Sequence, residues 1–126
     1  MIKELVEMQR NVSATCVVVQ PKDVDELLPS VKMAGNTKET VLANGIAKLS
    51  GALEKQSKKA PICYFIVMDI DKVEEKEQTR YVVLVKDRYL NGYTLPKNCI
   101  IVFTVKDKQA LNKITPALYH YATVAF

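Results

Sequence analysis

Two carboxylates, Asp69 and Asp71, end the stretch CYFIVMDID at residues 63–71, and their type and spacing come nearest to chemistry in this chain. Residues two apart on a strand face the same way, so the pair could chelate a hard cation such as Mg²⁺ through carboxylate oxygens. The same pair also suits the wet end of a buried strand, since the charged run DKVEEKEQ follows at once. We read it as that solvated strand end and assign no metal, no cofactor and no catalytic residue. His120 is the single histidine and lies between Tyr119 and Tyr121, with no nucleophile close in sequence. It reads as a half-buried strand residue. The cysteines, Cys16, Cys63 and Cys99, are far apart and form no CxxC pair, which excludes zinc-ligand spacing. Buried free thiols in a reducing compartment are the expectation. The glycines at 35, 45, 51 and 92 match no phosphate-binding loop.

The run from Phe65 to Glu74 resembles the metal-binding strand of palm-type nucleotidyl cyclases and polymerases, where strand-end carboxylates hold Mg²⁺ on substrate phosphates. That resemblance implies a nucleotide-binding or phosphotransfer role for Asp69 and Asp71. Those families follow the strand with a helix and later supply a second acidic turn in a hairpin. Here the next element reads as another strand, and the later hairpin, Leu90-Asn91-Gly92-Tyr93, carries no acid.

The tyrosines form the other candidate group. Tyr64, Tyr81, Tyr89, Tyr93, Tyr119 and Tyr121 all fall on expected strands. Tyr64, Tyr81 and Tyr93 are the residues expected to line a ligand cavity if their rings share a sheet face. Stacking single-stranded nucleic acid on such rings needs a basic track, and only Arg80, Lys86 and Arg88 accompany them. Cross-strand packing of aromatic pairs is the simpler account.

The elements that must position these residues follow from periodicity. Residues 2–9 form a short amphipathic helix and VSATCVVV, 12–19, a first strand. Residues 22–34 suggest a helical turn broken at Pro29. The segment 37–56 reads as the long helix, with Leu42, Ile46, Leu49 and Leu53 on one face. Residues 62–70 are apolar on both faces and should be a central strand, covered on each side or covered on one side and at an oligomer interface on the other. Alternation of Tyr81, Val83 and Val85 suggests a strand over 79–90, and Asn91-Gly92 a tight hairpin turn. A strand follows at 99–105, then a short helix at 106–114, and an alternating tail, LYHYATVAF, as a terminal strand. The class this implies is α+β: a mostly antiparallel sheet of about five strands, a β-meander around residues 62–105, with one long helix and two or three short ones packed on it.

The chain of 126 residues fits one domain, and its 48% hydrophobic and 25% charged content is globular rather than disordered. A net charge of +4 with mixed signs does not mark a dedicated nucleic-acid binder. No apolar run approaches the ~20 residues of a spanning helix. A cytoplasmic location is expected. The functional expectation is a non-enzymatic binding or regulatory module that engages a protein partner or an apolar small molecule through its sheet. A homodimer is expected too, because one long helix leaves the second face of an apolar sheet to be covered. The alternatives are metal-dependent nucleotide chemistry at Asp69 and Asp71, and single-stranded nucleic-acid binding.

Overall fold

The computed structural model describes residues 16–35, 46–90 and 93–126. The strand β1 spans Cys16–Val19, β2 Ser30–Ala34, β3 Cys63–Met68, β4 Tyr89–Leu90, β5 Tyr93–Thr94, β6 Cys99–Thr104 and β7 Ala122–Val124. The helices are α1, Ile46–Ser57, α2, Glu75–Asp87, and α3, Pro116–Tyr119, with 3-10 segments at Pro21–Glu26, Ile70–Lys72 and Gln109–Lys113. The main sheet holds five strands in the order β2-β3-β6-β1-β7. Every pairing in it is parallel.

This overturns the expected α+β antiparallel meander: the class is α/β. The error traces to one segment. Residues 79–90, expected as a strand, lie largely in α2, and only Tyr89 and Leu90 extend into β4. Gln78, Tyr81, Leu84 and Val85 are the buried residues of α2. That spacing of three and four is helical, but the VVLV run in the middle also fits a two-residue period, and short apolar runs satisfy both templates. With the helix restored, β3, α2 and β6 form a crossover, and parallel strands become obligatory.

Other differences are smaller. Residues 22–34 give a 3-10 segment followed by edge strand β2 rather than a broken helix. The expected helix at 106–114 is a 3-10 segment at Gln109–Lys113. The alternating tail yields a four-residue helix before the short strand β7. The central strand and the C-terminal half of the long helix stand where expected. The expected helix at 2–9 and residues 37–45 of the long helix lie outside the described residues. So does Asn91-Gly92, although Leu90 and Tyr93 on either side of it pair antiparallel.

Alternate residues of the strands feed two cores. On one face lie Cys16, Val18, Cys63, Phe65, Val67, Cys99, Ile101 and Phe103, with Leu53 of α1 and Tyr81, Leu84 and Val85 of α2. On the other lie Val17, Val19, Tyr64, Ile66, Ile100 and Val102, with Val24 and Leu27 of the first 3-10 segment. Strands buried on both sides are apolar at nearly every position, which is why β3 and β6 read CYFIVM and CIIVFT. The apolar strand behind the dimer expectation is therefore buried on both faces within one chain.

Polar side chains fasten the elements at their ends. Asn98 donates to the carbonyls of Ser57 (2.8 Å) and Ala60 (3.2 Å), satisfying the C-terminus of α1. Helix α2 carries Glu75 and Glu77 in its first turn, where negative charge suits the helix dipole, and stops at Arg88 in the left-handed region.

Candidate functional site

In an open parallel sheet the natural site is the crevice beyond the carboxyl ends of the strands, where neighbouring connections diverge. Here β1 runs on toward β2 at one edge, whereas β6 runs on past β1 to β7 at the other, so the crevice lies between β1 and β6. Gln20 follows β1 there, in extended conformation, and Pro21 starts the 3-10 segment. The Gln20 amide side chain donates across the crevice to the carbonyl of Lys106 (3.4 Å), and the Val105 N–H donates to the Val19 carbonyl (3.1 Å). The Gln20 N–H donates to the Asp23 carboxylate (3.4 Å). Nucleotide-binding sheets place a glycine-rich turn at this position, with free amides opening a helix onto phosphate. Gln20-Pro21-Lys22-Asp23 has no glycine, lacks one amide at Pro21 and presents a carboxylate.

The two aspartates stand next to this crevice, at the end of β3. The strand stops at Met68, and Asp69 has φ 58° and ψ 48°, a left-handed conformation that Asp tolerates better than most residues. Its N–H donates to the Thr104 hydroxyl at the end of β6 (2.9 Å), and its carboxylate lies 3.8 Å from the Lys72 amine. Both partners of that ion pair are well exposed, so it contributes little. Asp71 lies in the next 3-10 segment, not on a strand. The strand geometry that would have aligned both carboxylates is therefore absent. One Asp71 carboxylate oxygen, Oδ1, is buried without a hydrogen-bond partner among the described residues.

Backbone donors at this edge are largely spent inside the chain. The amides of Gly35, Lys72 and Val73 go to the carbonyls of Met68, Asp69 and Ile70, and that of Ala110 to the Asp107 carboxylate. Gly35 stands where space is tight: a Cβ there would meet the Met68 carbonyl oxygen and a Val73 methyl at 3.0 Å each. Thr104 carries the junction between β3 and β6 and is fully buried. Thr104→Val is expected to cost about 1–2 kcal/mol, because the Asp69 amide loses its acceptor. Thermal unfolding together with faster hydrogen exchange of the Asp69 amide checks this.

The three tyrosines do not converge. Tyr64 projects into one core, whereas Tyr81 and Tyr93 belong to the other, and Tyr64 and Tyr81 are buried. Tyr81 donates its hydroxyl to the Gly35 carbonyl (2.6 Å), and burial pushes its ionisation up to about 12. His120 lies exposed just after α3, its ring edge-on to Tyr121. No group of three or more His, Cys, Asp or Glu residues able to hold a metal occurs among the described residues.

Sequence reasoning missed the residues that shape this edge, Gln20, Gln78 and Thr104. Gln78 had a signal: it precedes Tyr81 and Val85 at helical spacing, and a polar residue on a buried helix face needs partners. Where the palm-type strand is followed by a helix, so is β3; the strand expected after Asp71 is α2. The likeness stops there, since the Tyr89–Thr94 hairpin supplies no second acid.

The fold and its strand-end edge define a domain of the α/β class, built on a parallel sheet. No protein-family model matches the chain, and no curated protein does. Among solved structures it is similar to the crystal structure of a DNA polymerase III gamma subunit-related protein from Thermotoga maritima, with a TM-score of 0.62 and 11% sequence identity. The match covers 99% of this chain and 45% of that one, so this chain spans less than half of that protein. At that identity the likeness shows the shared fold. No helix among the described residues is long and apolar enough to cross a membrane.

Proposed function

We propose that this chain is a non-enzymatic interaction module that docks a protein partner, and that its partner is a subunit of a DNA polymerase III-type assembly. The observation that carries the first half is the Gln20-Pro21-Lys22-Asp23 turn, which closes the crevice where a sheet of this class would take phosphate. The second half rests on fold-level analogy with the gamma subunit-related protein. Both sheet faces are buried in the chain, so docking falls to the strand-end loops and to exposed apolar side chains such as Val83 and Tyr89. A tyrosine-lined small-molecule cavity has no support from the placement of Tyr64 opposite Tyr81 and Tyr93. Three buried free thiols suit a reducing cytoplasm.

A second reading, divalent-ion binding for nucleotide chemistry, is favoured by the unpartnered buried oxygen of Asp71. One titration separates the two. With ATP and Mg²⁺ followed by NMR, the module reading expects no saturable shifts at Gln20, Asp69, Asp71 or Thr104. Saturable shifts that vanish in the Asp69→Asn, Asp71→Asn double variant would replace it with the second reading. Sedimentation alone and with polymerase III subunits of the source organism tests the partner. Co-migration supports the assembly, and a species of twice 14.2 kDa supports a second copy of the chain as the partner instead.

A further inference from the structure

Strands β3 and β6 both open on a cysteine, and the parallel pairing sets Cys63 directly beside Cys99. Both side chains enter the same core, and both are buried. Neighbouring strands run about 4.8 Å apart, inside the window of about 4.4–6.8 Å between Cα atoms that a disulfide accepts. The register therefore sets the two cysteines side by side at a Cα separation that a disulfide accepts.

Their surroundings differ from those of an inert buried thiol. Each thiol acts on the other's ionisation, which pushes the Cys63 thiol down and the Cys99 thiol up. Arg88 lies close by: its Nη2 donates to the Cys99 carbonyl (2.6 Å) and the Pro96 carbonyl (2.8 Å), and its charge favours thiolate at both sulfurs. Cys63 is thus the sulfur poised to ionise first. Tyr93 of β5 packs on the same core, near enough to both thiols for their charge to bear on its hydroxyl, which has no hydrogen-bond partner among the described residues. Strands β4 and β5 are two residues each, so the element beside these thiols is small.

We propose that Cys63 and Cys99 are a redox-responsive dithiol that closes to a disulfide across β3 and β6 when a small-molecule disulfide is the oxidant. The Cys63 thiolate attacks one sulfur of that oxidant, forms a mixed disulfide and expels the other half as a thiolate. Cys99 passes its proton to that leaving thiolate and attacks the Cys63 sulfur, expelling the second half, which takes a proton from solvent to replace the one Cys63 gave up. Two protein S–H bonds and one external S–S bond become one protein S–S bond and two external S–H bonds.

Cys16 supplies an internal control on the same core face. Its neighbour Val17 pairs with Val102, which offsets Cys16 from Cys99 by two residues along adjacent strands. That offset separates their Cα atoms by about 8 Å, past the roughly 7 Å at which bridging fails. Burial pushes the Cys16 thiol up to about 12, and it donates to the Tyr121 carbonyl (3.6 Å).

The test is oxidised glutathione on the native chain, alkylation of remaining thiols, and digestion without reduction before mass spectrometry. The expected product joins the Cys63 and Cys99 peptides, loses the mass of two hydrogens, reverts with dithiothreitol and leaves Cys16 alkylated. Cys99→Ser should halt at the glutathione adduct on Cys63, and Cys63→Ser should react at least about tenfold more slowly than wild type. A thermal melt of each serine variant confirms folding, and the wild-type cross-link stands without them. A cross-link through Cys16, or alkylation of all three thiols with no cross-link after prolonged oxidation, would overturn the proposal.

Discussion

Gln78→Leu is expected to destabilise the protein by about 3–5 kcal/mol, a large share of the roughly 5–15 kcal/mol that holds a domain together. Gln78 is fully buried on α2, and its amide lies within hydrogen-bond distance of four backbone groups. Its nitrogen donates toward the carbonyls of Ile70 (3.3 Å), Val73 (3.0 Å) and Lys113 (2.8 Å), and its oxygen accepts from the Thr115 N–H (2.7 Å). The side chain thus ties the turn after β3 to the segment after β6, the two loops that bound the candidate site. Leucine fills similar space but strands those groups away from water, and each buried orphan costs about 1–3 kcal/mol. Urea unfolding should show a lower midpoint at an unchanged slope, and hydrogen exchange should show early loss of protection at Thr115. Gln78→Glu adds a diagnostic. Its carboxylate would face three carbonyl oxygens, so its folded-state pKa would be raised, and the variant should gain stability as pH falls toward that of a free glutamate. A midpoint within error of wild type for the leucine variant would remove Gln78 from this role.

Phe103→Ala carries the second large effect, about 3–5 kcal/mol. Phe103 is 1% exposed, stands between Val18 and Val67 in register, and meets the Tyr81 ring edge-on at a centroid distance of 5.8 Å. Truncation leaves a cavity at the middle of the sheet, where strands paired on both sides cannot collapse to fill it. Tyr81→Phe keeps that ring contact and should cost about 1–2 kcal/mol, through the hydrogen bond lost to the Gly35 carbonyl. The pair in combination should depart from additivity, because the rings touch. Tyr81 also predicts an alkaline limb. Its folded-state ionisation lies above the ordinary 10.0, at about 12, so the folded chain holds a proton that the unfolded chain releases. Stability from this group is complete below pH 10 and is lost as pH rises toward 12. Tyr81→Phe should flatten that part of the profile in melts taken across the range. Equal midpoints for Phe103→Ala and wild type would refute the packing assignment.

Some of this architecture is written locally and some is not. The continuous apolar runs of β3 and β6 declare strands covered on both faces, because no side of a strand that meets water would read CYFIVM or CIIVFT. The absence of a glycine-rich turn after β1 is likewise plain in QPKD. Segment 75–87 was not legible. EKEQTRYVVLVKD satisfies a helical period through Gln78, Tyr81 and Val85 and a strand period through Tyr81, Val83 and Val85, and local energies barely distinguish them. Burial of Gln78 among carbonyls donated by two distant loops decides it, and those loops are brought there by the crossover that the helix itself makes possible.

The sequence alone therefore determined that the central strand is apolar on both faces, that three thiols lack zinc-type spacing and that no phosphate loop is carried, since these depend on composition and on near neighbours. That one chain covers both faces was decided by the tertiary structure. The tertiary structure alone decided that the strands run parallel and that Asp71 leaves the strand. It also decided that Tyr64 faces away from Tyr81 and that Cys63 meets Cys99 across 36 residue positions. Each of those depends on which segments pair at long range, and pairing is fixed by the shared burial of many side chains together, a free energy that no short stretch contains.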